Sequence, residues 1–281
     1  MAKGRKPARP QALRANIYKT HKAASLASRK LSGPQDGLMT DAWSMPGRPK
    51  KCANAWQNLL KSSDRRSNAS ATKGHKRMKV SEARAAVGGL SQTSKMPCKS
   101  WGISAKACKT GSKLAKVEGT VCHGCYALKG AYVWPVVEKA HAKRLDAIFT
   151  SGWVDAMVTA INGDEYFRWF DSGDIQSDEH LANIVRVAIA TPNTKHWLPT
   201  KEYLMVSRFI RKHGSFPKNL VVRVSSPNID QAPVKHYQHT STVHTGKPFG
   251  RECIAYKQDN ECKDCRACWN PRIKNISYKY H

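Results

Sequence analysis

From about residue 132 the apolar positions recur at mostly helical spacing, through Val136, Val137, Ala140, Leu145, Ile148 and Phe149, then Trp153, Ala156, Met157, Ala160 and Ile161. Asn162-Gly163 closes that helical stretch. The aromatic run Tyr166 to Phe170 suits a buried strand. Ser177 reads as a helix N-cap with Asp178 and Glu179 in the first turn, ahead of one apolar face made by Leu181, Ile184, Val185, Ala188 and Ile189. A strand at 195–198, a helix carrying Tyr203, Leu204, Phe209 and Ile210 that stops at His213-Gly214, and a strand at 220–224 complete the regular region. Thr200 is placed to cap that last helix. Strands separated by helices of about a dozen residues imply parallel β-α units with strand carboxyl ends on one rim, where ligands bind in such folds. The predicted fold is therefore α/β, a partial (β/α) barrel. Its rim consists of Asp171 to Asp174, Pro199 to Glu202 and Ser225 to Pro227.

Residues 1–95 break this pattern, being rich in Lys, Arg, Ser, Ala and Gly with scattered large apolar side chains. They are predicted to form a basic, partly disordered arm, leaving 96–281 as the core. Of the net charge of +28, a balance of +17 lies in this arm, from 21 Lys and Arg against 4 Asp and Glu. Such an excess favours a polyanionic partner, DNA or RNA, while a solvated tail accounts for the composition equally well. Pro46 to Lys51 resembles the AT-hook core that inserts an Arg into the minor groove. No apolar run approaches the roughly 20 residues of a membrane helix, and no leader opens the sequence, so the chain is expected to be soluble and intracellular.

The chemistry lies in the cysteines, eight of which fall into two groups of four: Cys98, Cys108, Cys122, Cys125, and Cys253, Cys262, Cys265, Cys268. In a reducing compartment clustered thiols are metal ligands more often than disulfides, and C-x2-C turns bring two sulfurs together. Zinc and an iron-sulfur cluster both tolerate these spacings. The Cys262 to Cys268 run resembles the start of a bacterial ferredoxin loop, with Cys253 as the fourth ligand. His196, Lys201 and Glu202 are rim candidates for proton transfer or substrate binding, with a packed histidine and a helix start as the plain alternative. His236, His239 and His244 form a loose cluster before the last cysteines. Arg168 and Arg223 alternate with apolar strand residues, and Asp171 and Asp174 are their expected partners.

The segments Val121 to Gly130, Phe167 to Asp174, His196 to Glu202 and Cys262 to Trp269, with Gly111 to Leu114, are similar to a bacteriophage family described only as gene product 88. That resemblance covers about Lys95 to His281 and implies a phage protein working in the cytoplasm of an infected bacterium. A metal loop feeding a barrel rim also resembles the radical S-adenosylmethionine superfamily, in which three cysteines hold a 4Fe-4S cluster whose open iron binds the cofactor. On that resemblance Cys108, Cys122 and Cys125 hold the cluster, while Tyr126, Ser172, Gly173 and Asp174 contact S-adenosylmethionine. The C-x3-C-x2-C spacing of that superfamily is absent, and Cys98 as a fourth ligand would close the open iron. The rival expectation is a noncatalytic nucleic-acid-binding protein with two structural zinc sites.

Overall fold

The computed structural model describes residues 78–280. The Pro46 to Lys51 motif, the ninth cysteine Cys52 and most of the predicted arm lie outside them. Residues 78–95, which composition assigns to the arm, carry helix α1 (Val80–Ala86) and strand β1 (Ser91–Gln92). The chain continues through β2 (Lys99–Trp101), α2 (Lys109–Leu114), α3 (Pro135–Ala147), α4 (Trp153–Ile161) and β3 (Tyr166–Trp169). It then runs through α5 (Asp178–Ala190), β4 (Lys195–Thr200), α6 (Tyr203–His213) and β5 (Leu220–Ile229) to β6 (Thr240–His244), β7 (Arg251–Glu252) and β8 (Asn275–Lys279). The cap of α5 is as predicted, Ser177 Oγ accepting from the His180 amide. Thr200 instead ends β4, and the residue capping α6 is Glu202.

Eight strands form one sheet in the order β1-β2-β3-β4-β5-β6-β8-β7. All neighbours are parallel except β1 with β2. The sheet is open, with the two-residue strands β1 and β7 at its edges, so the partial barrel resolves into an open mixed α/β sheet. Strand β5 also runs past Val224, which places Ser225 to Pro227 inside a strand rather than after one.

Alternation along the strands divides the sheet into two unlike faces. Phe167 and Trp169 on β3, Leu198 on β4 and Leu220, Val222 and Val224 on β5 point into an apolar layer shared with α1, α4, α5 and α6. At its centre Trp101 meets Trp153, Trp169 and His180 edge-on at centroid distances of 5.5, 6.3 and 5.9 Å. The opposite face carries Tyr166, Arg168, Trp197 and Arg223 and is covered by the cysteine-rich stretch before β8. Trp269 packs edge-on against Tyr166 and Trp197 there, and its indole donates to the Phe167 carbonyl at 2.9 Å.

Arg223 is fully buried on that face and finds no carboxylate, contrary to the pairing with Asp171 or Asp174 expected from its position. Its guanidinium donates to the carbonyls of Cys268 and Ile273 at 3.0 Å, Asn270 at 3.1 Å and Ala267 at 3.2 Å, with longer bonds to Lys274 and Thr240. A planar five-donor fork suits this cage, and a lysine ammonium with three donors could not fill it. Replacing Arg223 by Met should leave several buried carbonyls unpaired and cost about 3 kcal/mol. The expected signature is a lowered urea midpoint, with the first tryptic cleavages falling between residues 253 and 274.

Candidate metal centres and the rim

The carboxyl ends of β3 and β4 are tied together by short, buried hydrogen bonds. Phe170 adopts φ 53°, turning the chain out of β3, and its amide donates to the Trp101 carbonyl at 2.6 Å. Ser172 donates to the Ile103 carbonyl at 2.5 Å, and the Ile103 amide returns a bond to the Ser172 carbonyl at 3.1 Å. Gly173 has φ 80°, and a Cβ there would come within 2.4 Å of Ile103, so only glycine fits. Asp174 accepts from Thr200 Oγ1 at 2.6 Å and from the amides of Ile175 and Lys201 at 2.8 Å each. Burial raises the Asp174 carboxyl to about 6 against these bonds. Ser172, Gly173 and Asp174 thus brace the rim.

Glu202 extends the bracing to the sulfurs. Its carboxylate accepts from the Thr110 amide and hydroxyl, both at 2.9 Å, and so fixes the start of α2, where Cys108 is the capping residue. Cys122 and Cys125 stand on a tight turn, the Cys125 amide donating to the Cys122 carbonyl at 3.2 Å. The fold brings both to Cys108. A methyl group at Gly111 on α2 would touch Cys108 Cβ at 3.1 Å and both the Cys108 and Cys122 sulfurs at 3.6 Å. Burial raises the Cys108 thiol, and the nearby Asp174, Cys122 and Cys125 raise it further. Cys122 is raised by burial, against the lowering effect of the neighbouring Lys201 ammonium. Three soft donors thus lie close together and half-buried beside one ammonium, that of Lys201.

Cys98 lies elsewhere. It directly precedes β2, at the amino end of the parallel strands, and packs with Trp197, Trp269, Met96 and Cys268. Burial pushes its thiol up to about 12, opposed by Arg168 and supported by Cys262. Cys253, Cys262, Cys265 and Cys268 line one cavity with Ile254, Ala255 and Trp269. The Cys265 amide donates to the Cys262 carbonyl at 2.9 Å, and the Cys262 amide to the Lys95 carbonyl at 3.0 Å, which binds this loop to the segment before β2. Cys268 Sγ lies 3.5 Å from Tyr278 Oη. All eight described cysteines are free thiols. Among the described residues, no group of three or more His, Cys, Asp or Glu side chains is disposed to hold a single metal ion.

The remaining candidates have structural partners. His196 Nδ1 accepts from the Trp169 indole at 3.3 Å and its Nε2 meets Thr191 Oγ1 at 2.9 Å. Since that hydroxyl donates to the Val187 carbonyl at 2.7 Å, Nε2 carries the proton and the ring is neutral. His239 and His244 bond to the Pro271 carbonyl and Ser277 Oγ at 2.9 and 2.8 Å, away from the sulfurs. Tyr126 donates to the Asp171 carbonyl at 2.7 Å and meets Tyr132 edge-on at 5.5 Å. Arg168 lies 4.7 Å from the Trp197 ring centroid and donates to the Phe170 carbonyl at 3.4 Å. The packing of Gly111 against the sulfurs and the clamp of Glu202 on Thr110 escaped the sequence reading. Glycine inside a short lysine-rich helix is their only local signal.

The architecture is thus that of an open α/β protein with a sulfur trio at the carboxyl rim and a quartet, flanked by Cys98, on the face opposite the main helices. A family model described as gene product 88 matches residues 58–251, and the chain belongs to that bacteriophage family. The match reaches into the predicted arm and stops short of Cys253, differing at both ends from the extent suggested by the motifs. No curated protein and no solved structure matches the chain. No helix among the described residues is long and apolar enough to cross a membrane.

Burial also fixes a pH response. His180 and His196 are both depressed from 6.5 to about 3 by burial, so the unfolded chain takes up two protons in that interval and the folded chain does not. The stability these rings contribute is complete above pH 6.5 and is lost as pH falls towards 3. Asp174 acts with the opposite sign between 3.8 and about 6, its contribution being lost as pH rises. His196→Gln should therefore reduce the acid slope of stability by about 1.4 kcal/mol per pH unit across pH 4 to 6, measured from urea midpoints.

Proposed function

We propose that Cys108, Cys122 and Cys125 hold an iron-sulfur cluster with one open coordination position, in an enzyme resembling the radical S-adenosylmethionine superfamily. The observation that carries this reading is the separation of Cys98 from the other three cysteines of its sequence group. Three thiolates on a rim leave a fourth metal position for a ligand, whereas four would saturate it. What supports such a group is the chemistry of the donor set, which is sulfur only, and the missing Cβ of Gly111, which leaves space between the Cys108 and Cys122 sulfurs. When bound with S-adenosylmethionine, a cluster of this kind supplies one-electron reduction and a carbon radical for hydrogen abstraction.

The chain's own residues would position that chemistry. Glu202 holds the α2 end that carries Cys108, Asp174 fixes the rim loop beside it, and Lys201 places positive charge next to Cys122. Tyr126, adjoining Cys125, has its hydroxyl anchored on Asp171 so that its ring borders the site. Cys253, Cys262, Cys265 and Cys268 would hold a second centre that fastens the segment over the sheet. Substrate identity enters through charge, since the excess of Lys and Arg favours a nucleic acid.

Anaerobically purified protein should be brown and contain iron and sulfide, while a colourless protein with two zincs would replace this reading with that of a noncatalytic zinc protein. With dithionite and S-adenosylmethionine the wild type should release 5′-deoxyadenosine, and Cys125→Ala should abolish release and lower the iron content. Cys98→Ala should keep both the rim cluster and the cleavage activity. Gly111→Ala, at a helical position where alanine favours the fold, should retain the melting temperature and lose rim-bound metal.

A further inference from the structure

The stretch that follows the sulfur trio exposes an unusual amount of apolar surface. Tyr126 and Trp134 are 55% and 59% exposed and Val136 71%, with Leu128 and Val133 also open to solvent. They lie in one continuous run, the turns 126–128 and 130–133 followed by the first residues of α3. Contiguous exposed apolar side chains mark a binding surface on most soluble proteins. The surroundings say what kind. Between residues 106 and 143 the chain carries Lys106, Lys109, Lys113, Lys116, Lys129, Lys139 and Lys143 against two acids, Glu118 and Glu138. All seven lysines are exposed, and only Lys106 is paired, with Glu138 at 2.5 Å. Lys109 and Lys113 stand on α2 one turn apart, with Lys116 just beyond it. Cys108 caps that helix, and the aromatic run begins directly after Cys125, so the two surfaces meet at the trio.

We infer that this surface binds single-stranded nucleic acid, with Trp134 and Tyr126 as platforms for bases and Lys109, Lys113 and Lys116 as phosphate contacts. A polyanion with flat apolar faces satisfies both halves of the surface at once. A duplex would offer the phosphates alone and leave the indole uncovered. The inference deepens the proposed function by naming the substrate class of the same site, and it rests on that reading only for the chemistry done there. Binding itself needs no cofactor.

The test uses the full chain and a fluorescent single-stranded oligonucleotide, as DNA and as RNA, with affinity read by anisotropy over a range of salt. Lys109→Gln, Lys113→Gln and Lys116→Gln together should weaken binding and reduce the slope of log K against log salt by about 2, since each single-strand phosphate contact contributes about 0.7. Trp134→Ala should weaken binding about tenfold with little salt dependence. Photo-crosslinks from a halogenated base should fall on residues 126–136. All of this should persist in Cys125→Ala, so a failed cleavage assay and a failed binding assay would be separate results. Unchanged affinity in both variants with crosslinks confined to residues 1–77 would overturn the inference. So would a Trp134→Ala variant that loses only self-association or only adhesion to anionic lipid vesicles.

Discussion

A buried cation must be surrounded by dipoles, and in this protein that requirement shapes the less ordinary half of the fold. Arg223 sits on β5, pointing away from the apolar layer, and can be accommodated only because the segment from Ala267 to Lys274 turns its carbonyls toward the guanidinium. That turn brings Trp269 onto β3 and β4 and carries the C-x2-C-x2-C run back across the sheet. The cysteine quartet and the packing around Cys98 therefore depend on an interaction that contains no sulfur. The two faces of the sheet are organised by different forces, water exclusion on the helical side and saturation of polar groups on the other.

The helical side was legible in the sequence because its physics is periodic. The apolar spacing of α5 and α6, the Ser177 cap and the stop at Gly214 all stand where the pattern puts them. The other half was not. Strands β6 and β8 are built from Thr240, Ser241, Thr242, Asn275 and Ser277, buried polar residues that satisfy one another: Thr240 donates to Asn275 at 2.7 Å and Thr242 to Ser277 at 3.0 Å. A ladder of hydroxyls and amides has the composition of a loop, so these strands, with Val243, Ile276 and Tyr278 as their only large apolar or aromatic carbon side chains, leave little hydrophobic trace. The two-residue strands β1 and β7 are too short to leave one of any kind.

The candidate site shows the same division. The C-x2-C turns and the Gly-Asp pair announce themselves by local geometry, which sequence records. The grouping of Cys98 with Cys108 rested on proximity along the chain, which in a parallel sheet is a poor guide. Cys98 enters β2 at the amino end of the strands, whereas the trio lies at the carboxyl rim, with the strands running between them. Glu202 is similarly opaque, because a carboxylate that clamps a helix ninety residues upstream looks in one dimension like any rim acid.

The bond from the Cys262 amide to the Lys95 carbonyl joins positions 167 residues apart. Its consequence concerns the order of events on the ribosome. The turn that carries Cys122 is held against β5, the Val121 amide donating to the Pro227 carbonyl and the Ile229 amide to the Gly119 carbonyl, so the rim trio is complete only once residue 229 has emerged. The quartet and the pocket around Cys98 must wait until Trp269 and the carbonyls beyond it have been synthesised. The two sulfur groups are thereby completed at different points of translation.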